Sequence, residues 1–178
     1  MVSRNDLGLG SRMLIGGVAG FAATLAMTSV MARMHRRLPP EDQYPLTPRE
    51  IVDSGAEMLD LELSDGQARD LTIAAHFAYG AGCGALIALA HPRIGKRAGA
   101  LAGASVWLAS YLGWIPMAGV LKPATQHPAR RNLLMVAAHL VWGAATAQGI
   151  RELTLARETM LRSGPERDAV RAATRAAS

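Results

Sequence analysis

Two histidines stand in nearly identical apolar phrases, AAHFAYGAG at residues 74–82 and AAHLVWGAA at residues 137–145. In each phrase an aromatic residue follows the histidine by three positions and a glycine follows it by four. In a helix these three positions share one face, which offers an imidazole, a hydrogen-bonding ring and a gap for a neighbouring helix. They are His76, Tyr79 and Gly80 in the first phrase, and His139, Trp142 and Gly143 in the second.

An imidazole in an apolar stretch has three possible roles. It can bond a hydroxyl or carbonyl of a neighbouring helix, titrate near neutrality in a proton, ion or solute path, or ligate a haem held between two parallel helices. Neither histidine has an arginine beside it that could anchor a haem propionate. No metal-ligand spacing or catalytic motif is present either. The candidate hydroxyl partners are Thr24, Thr28, Ser29, Ser105 and Ser110. The candidate polar core or ion path is His76, Tyr79, His139 and Trp142.

The sequence contains four runs without Asp, Glu, Lys or Arg: 13–32, 71–90, 98–121 and 132–150. The two histidine phrases lie in the second and fourth of them. A helix needs roughly 20 apolar residues to cross a bilayer. Half of the 178 residues are hydrophobic but only 4% are aromatic, which is typical of helices that pack through small residues. The sequence therefore predicts an all-α, multi-pass membrane four-helix bundle. The first run ends in the basic cluster RMHRR, so we expect a retained helix and not a cleaved signal peptide.

The first and third runs also echo each other, as GGVAGFAATLAM from Gly16 and GALAGASVWLAS from Gly99. Both carry the Gly-x-x-x-Gly spacing that lets two helix backbones approach closely. The alternation of glycine helix and histidine helix predicts two related hairpins in parallel repeat; chance likeness of Ala/Gly-rich segments is the alternative. In the repeat, both histidines would lie at one depth, nearer the long loop. The expected packing positions are Gly16, Gly20, Gly80, Gly84, Gly99, Gly103 and Gly143.

The connection at 33–70 is long and acidic, with nine Asp or Glu against five Arg. Its proline-rich start, RLPPEDQYPLTP, favours extended backbone. Thr47 and Glu50 then have the spacing of a capping box, which predicts a helix at about 48–59 on the bilayer surface or against the bundle. Ser64 and Gln67 predict a second capping box that starts the second span before its apolar run. We expect residues 1–155 to form the membrane domain and residues 156–178 a charged helical or disordered tail.

The formal net charge of +5 has a simple membrane explanation, because Lys and Arg flank the spans. Nothing resembles a nucleic-acid-binding signature. Four spans place both termini on one side with the loop at 91–97, and this side carries 11 Lys or Arg against 8 on the other. The difference predicts cytoplasmic termini and an external acidic loop. The expected partners are the lipid bilayer and either a second copy or the subunits of a membrane complex.

Several segments resemble the YagU-like inner-membrane proteins of bacteria, a family of unknown function. They are the glycines of the first run, RLPPEDQYPLTP, HFAYGAGCG and AAHLVWGAATAQGIRE, and the likeness covers roughly residues 12–155. The resemblance implies a multi-pass protein of the bacterial cytoplasmic membrane with cytoplasmic termini and a loose association with acid tolerance. It carries over no catalytic residue, and the acidic loop departs from it.

The sequence thus favours a non-enzymatic membrane protein that acts in envelope or acid stress or as an accessory subunit. Two alternatives remain open. One is a small proton, ion or solute transporter that uses His76 and His139. The other is a haem-binding electron carrier.

Overall fold

The computed structural model describes residues 7–43, 45–161, 164 and 174–176, and in these residues all regular structure is helical. A π-helical turn, Ser110–Trp114, joins the fourth and fifth helices, and two short 3-10 turns lie at Pro40–Asp42 and Ala124–Gln126. The α-helices are α1 (Leu9–His35), α2 (Thr47–Met58), α3 (Asp65–Ala90), α4 (Lys96–Ala109), α5 (Ile115–Met117) and α6 (Ala129–Glu158).

Four helical segments are long and apolar enough to cross a membrane: α1, α3, the combined segment Lys96–Met117, and α6. The predicted four-helix membrane bundle is thereby confirmed. The helix of the third span ends at Met117, four residues before the end of the uncharged run at 121. Many large apolar side chains on the outer surface are exposed, including Leu14, Leu86 and Leu101 at 66–68%. Such a surface suits lipid and not water.

The helices pack in the spatial order α3, α1, α6, α4. Helix α1 lies between α3 and α6, and α6 lies between α1 and α4. No extensive contact joins α3 to α4 within the described residues. A cleft therefore remains between α3 and the third span, over a floor formed by α1 and α6.

Each hairpin crosses through glycine. In the first, a Cβ on Gly84 would lie 2.4 Å from the carbonyl oxygen of Gly16 and 2.7 Å from the Cα of Gly20. In the second, a Cβ on Gly143 would lie 2.1 Å from the carbonyl oxygen of Gly99 and 2.9 Å from the Cα of Gly103. Real Cβ atoms do not approach so closely, so backbone contact at these crossings requires glycine.

The register of these crossings differs from the register of the repeated phrases. The repeated phrases align Gly143 with Gly80, but in the structure Gly143 occupies the place of Gly84, because each faces both glycines of its partner helix. Counted along each helix, His139 precedes its crossing glycine, Gly143, by four residues, and His76 precedes its own, Gly84, by eight. The phrases match in sequence but are offset by a turn in packing.

The connection before α3 contains one confirmed and one incorrect capping prediction. Ser64 and Gln67 form the capping box of α3: the Gln67 N–H donates to Ser64 Oγ at 3.3 Å, and Gln67 Oε1 accepts from the Ser64 N–H at 2.9 Å. Thr47 and Glu50 form none. Helix α2 begins at Thr47 with Leu46 as its N-cap and no side-chain cap, because both side chains instead bond Arg131.

The predicted tail lies mostly outside the described residues. Helix α6 continues without a break to Glu158, eight residues past the end of its apolar run.

Candidate functional site: a cavity beneath the loop helix

A cavity of about 260 Å³ lies in the cleft between α3 and the third span. Helices α1 and α6 form its floor, and the first turns of α2 cover its end toward the long loop. All four residues of the predicted polar core line it. The lining consists of Thr24, Met27, Thr47, Pro48, Ile51, Ala75, His76, Tyr79, Gly80, Cys83, Val106, Ser110, Tyr111, Trp114, Ile115, Met135, His139 and Trp142.

Tyr79 bridges the cleft. Its hydroxyl lies 2.8 Å from Ser110 Oγ. Since the Ser110 hydroxyl donates to the carbonyl of Val106 at 2.8 Å, the Tyr79 O–H is the donor of the bridging bond. The Tyr79 ring also lies 6.2 Å from the ring of Trp114. Tyr79 thus links α3 to the third span, where the backbones are apart.

The π-helical turn supplies one wall of the cavity. Pro116 has no N–H to give to the carbonyl of Leu112, so the regular helical ladder cannot continue through this point. Gly113 departs from helical geometry, with φ −112° and ψ −110°. The altered turn places Ser110, Tyr111 and Trp114 in the cavity lining. Such π turns within α-helices recur at functional sites.

The two residues of the predicted core on α6 are bonded to backbone carbonyls. His139 Nδ1 lies 2.8 Å from the carbonyl oxygen of Met135 on its own helix. Because a carbonyl only accepts, Nδ1 carries the proton, and Nε2 of the neutral ring is an acceptor. Trp142 Nε1 donates across the bundle to the carbonyl of Gly20 at 3.2 Å.

The expected bonds from the histidines to hydroxyls of neighbouring helices are not among the described contacts. Those hydroxyls instead donate to the carbonyl four residues earlier on their own helix, for example Thr24 to Gly20 at 2.8 Å. The same holds for Thr28, Ser29, Ser105 and Ser110. A local bond of this kind satisfies a hydroxyl without help from another helix.

His76 differs from His139. Its Nε2 atom is buried, yet it has no hydrogen-bond partner within the described part of the chain. Leaving a buried polar atom unsatisfied costs about 1–3 kcal/mol. His76 lines the cavity, and a turn of its ring would present Nε2 to a molecule held there.

Arg131 holds the first turns of α2, which cover the cavity, against the bundle. Its side chain is 1% exposed and forms an ion pair with Glu50 of α2. It also donates to Thr47 Oγ1 at 3.3 Å and lies 3.1 Å from His127 Nδ1. These contacts attach α2 to the start of α6, so α2 lies against the bundle.

Sequence reasoning missed Arg131, which it treated as one of several basic residues that flank the spans. Its partner Glu50 lies 81 residues earlier in the chain, and no periodicity links the two. Ser110, Cys83 and the cover residues of α2 were missed as cavity residues for the same reason.

The chemistry of the lining is that of a binding pocket. Most lining side chains are apolar, none of the described lining residues is a carboxylate, and the polar lining includes His76, His139 and Tyr79. Pockets for drug-sized molecules measure roughly 300–1,000 Å³. The cavity of about 260 Å³ therefore suits a molecule smaller than a porphyrin.

Neither a scan against protein-family models nor searches of the curated proteins and of the solved structures returned a match. The four apolar helices fit a multi-pass membrane protein, and this is the class that the fold defines. The likeness to the YagU-like family stays a prediction.

Proposed function

We propose that the protein is a non-enzymatic membrane protein that binds a small, mostly apolar solute carrying one hydrogen-bonding group. The observation that carries the proposal is the buried Nε2 of His76, which has no partner among the described residues and belongs to a side chain that lines an apolar cavity. A solute hydroxyl or carbonyl would complete this bond while its apolar part contacts side chains such as Met27 and Ile115.

The close packing beyond the cavity favours binding over a proton or ion path through the bundle. Toward the chain termini, α1 meets α3 at the Gly16 and Gly84 crossing. It also meets α6 closely, because a Cβ on Gly149 would lie 2.9 Å from the Cβ of Ala19. A polar path between α1 and α3 or between α1 and α6 would have to part these backbones.

The lining also favours binding over catalysis. Acid–base and nucleophilic chemistry needs a titratable group positioned by a second one. His139 is instead oriented by a carbonyl of its own helix, and the described lining has no carboxylate. We place the protein in a bacterial cytoplasmic membrane with cytoplasmic termini, acting alone or as an accessory subunit.

The test uses two probes that differ by one hydroxyl, 1-naphthol and naphthalene, titrated against the full chain in nanodiscs. Tryptophan fluorescence is the readout, since Trp114 and Trp142 line the cavity. We expect 1-naphthol to bind at least about tenfold more tightly than naphthalene, because one buried hydrogen bond is worth about 1.4 kcal/mol.

The variant His76→Leu removes the bond and should bring both probes to a similar Kd. Phe77→Leu is the matched control, because Phe77 is the next residue on α3 and does not line the cavity. The centroid of its ring lies 4.9 Å from that of Phe21. Equal affinity of the two probes for the wild-type chain would refute the proposal. So would an equal loss of 1-naphthol binding in His76→Leu and Phe77→Leu.

A further inference from the structure

A second cavity, of about 440 Å³, lies at the opposite end of the bundle, beside the chain termini. Three segments distant in sequence form it: the start of α1, the turn between α3 and α4, and the end of α6. Each contributes one arginine, namely Arg12, Arg93 and Arg151, and the acidic residue of the lining is Glu158. Among the described lining residues, three guanidinium groups stand against one carboxylate, so this part of the lining carries a net positive charge.

The depth of the three arginines in the membrane is set by the apolar runs. Arg12 immediately precedes the run that begins at Met13, and Arg151 immediately follows the run that ends at Ile150. Arg93 lies three residues past the end of the α3 run at Ala90. All three therefore stand at the boundary between hydrocarbon and water, where the phosphate groups of phospholipids lie.

The rest of the lining is suited to a lipid. Leu7, Ile94 and Leu155 add apolar surface beside the arginines. Arg12 is oriented in advance, because its Nε donates to the carbonyl of Leu7 at 2.9 Å. The cavity thus combines cationic groups that suit a phosphate with an apolar wall that suits the glycerol and upper acyl chain.

We propose that this cavity binds the phosphate of an anionic phospholipid, with the headgroup between Arg93 and Arg151 and the acyl chains along the outer surface of the bundle. Basic pockets between membrane helices bind anionic headgroups through the same combination of charge and depth. Free phosphate offers the same anion without the acyl chains, and the apolar wall favours the lipid. The proposal is independent of the solute cavity at the other end.

The test measures lipid binding to the detergent-solubilised full chain by native mass spectrometry, with phosphatidylglycerol and phosphatidylcholine as the two probes. We expect phosphatidylglycerol to bind more tightly. Each of Arg93→Gln and Arg151→Gln should weaken its binding about fivefold, and the double variant about thirtyfold, since one basic side chain near an anionic surface contributes about that factor.

Arg157→Gln is the matched control, because Arg157 is exposed on the same helix as Arg151 and does not line the cavity. If the glutamine variants fail to fold, Arg93→Lys and Arg151→Lys keep the charge and should keep most of the affinity. Equal binding of the two lipids, or equal losses in Arg151→Gln and Arg157→Gln, would overturn the proposal. Displacement of phosphatidylglycerol by equimolar inorganic phosphate would overturn the lipid as the ligand, whereas its failure would support it.

Discussion

The two histidines have the same sequence neighbourhood and different chemical states. His139 donates a hydrogen bond from Nδ1–H to the carbonyl of Met135. The buried Nε2 of His76 has no partner among the described residues. A polar atom left unsatisfied in the folded state is a stability cost, and such costs are retained where function needs them. The sequence could identify His76, Tyr79, His139 and Trp142 through the repeated phrase. It could not separate the two histidines, because the same phrase surrounds both and only the structure shows which ring nitrogen is bonded.

We expect His76→Leu to leave the free energy of unfolding unchanged or to raise it by up to about 1 kcal/mol. The substitution removes an unsatisfied buried atom and keeps a side chain of apolar bulk. His139→Leu should lower stability, since it loses a made bond. Reversible unfolding in mixed micelles measures both. A loss of several kcal/mol in His76→Leu would mean that the Nε2 atom is bonded in the folded protein.

A second residue-scale expectation concerns the pair between Arg131 and Glu50. Glu50→Gln keeps the shape but leaves the buried guanidinium without its counter-charge, and we expect a loss of about 2 kcal/mol. Glu57→Gln on the exposed face of α2 should change stability by no more than about 0.5 kcal/mol. Equal effects of the two substitutions in the same unfolding assay would show that the pair does not hold α2 to α6.

At the scale of elements, the account depends on the glycine crossings. The Gly-x-x-x-Gly spacing in the sequence indicated which positions could bring backbones together, because close approach depends only on the absence of a side chain. It could not supply the register, since Gly80 and Gly84 both satisfy the spacing and only three-dimensional packing selects Gly84 as the counterpart of Gly143. The π turn was also beyond sequence reasoning, although Pro116 lacks the N–H that a regular helix would need there.

We expect Gly84→Ala to destabilise the bundle by about 1–3 kcal/mol, because its Cβ would overlap the backbone of Gly16 and Gly20. Gly82→Ala is the control on the same helix, with nothing within 4 Å of its added Cβ. This control should be neutral or stabilise by up to about 1 kcal/mol through helix propensity. Similar stabilities for the two variants would contradict the crossing.

At the scale of the whole molecule, four spans require that the acidic loop and the turn between α3 and α4 lie on opposite sides of the membrane. The sequence predicts this arrangement, because the lengths of the uncharged runs give the number of spans. The number of spans then sets the side on which each loop lies. The attachment of α2 to the bundle was not predictable, because it rests on Arg131 and Glu50, which are distant in the chain.

Orientation can be measured by cysteine labelling in a Cys83→Ala background, expressed in bacteria. Glu62→Cys in the acidic loop should react with a membrane-impermeant maleimide in intact cells, and Gly95→Cys only after permeabilisation. The reversed pattern would contradict cytoplasmic termini, and labelling of both sites in intact cells would contradict the four-span topology.

The central claim, that the cavity binds a solute through His76, is tested most directly by nitrogen-15 NMR of the histidine side chains in nanodiscs. On addition of 1-naphthol, the account predicts a shift of the His76 Nε2 resonance that naphthalene does not produce, while the His139 Nδ1 resonance stays that of a hydrogen-bonded N–H. An unmoved His76 resonance at saturating 1-naphthol would contradict the account.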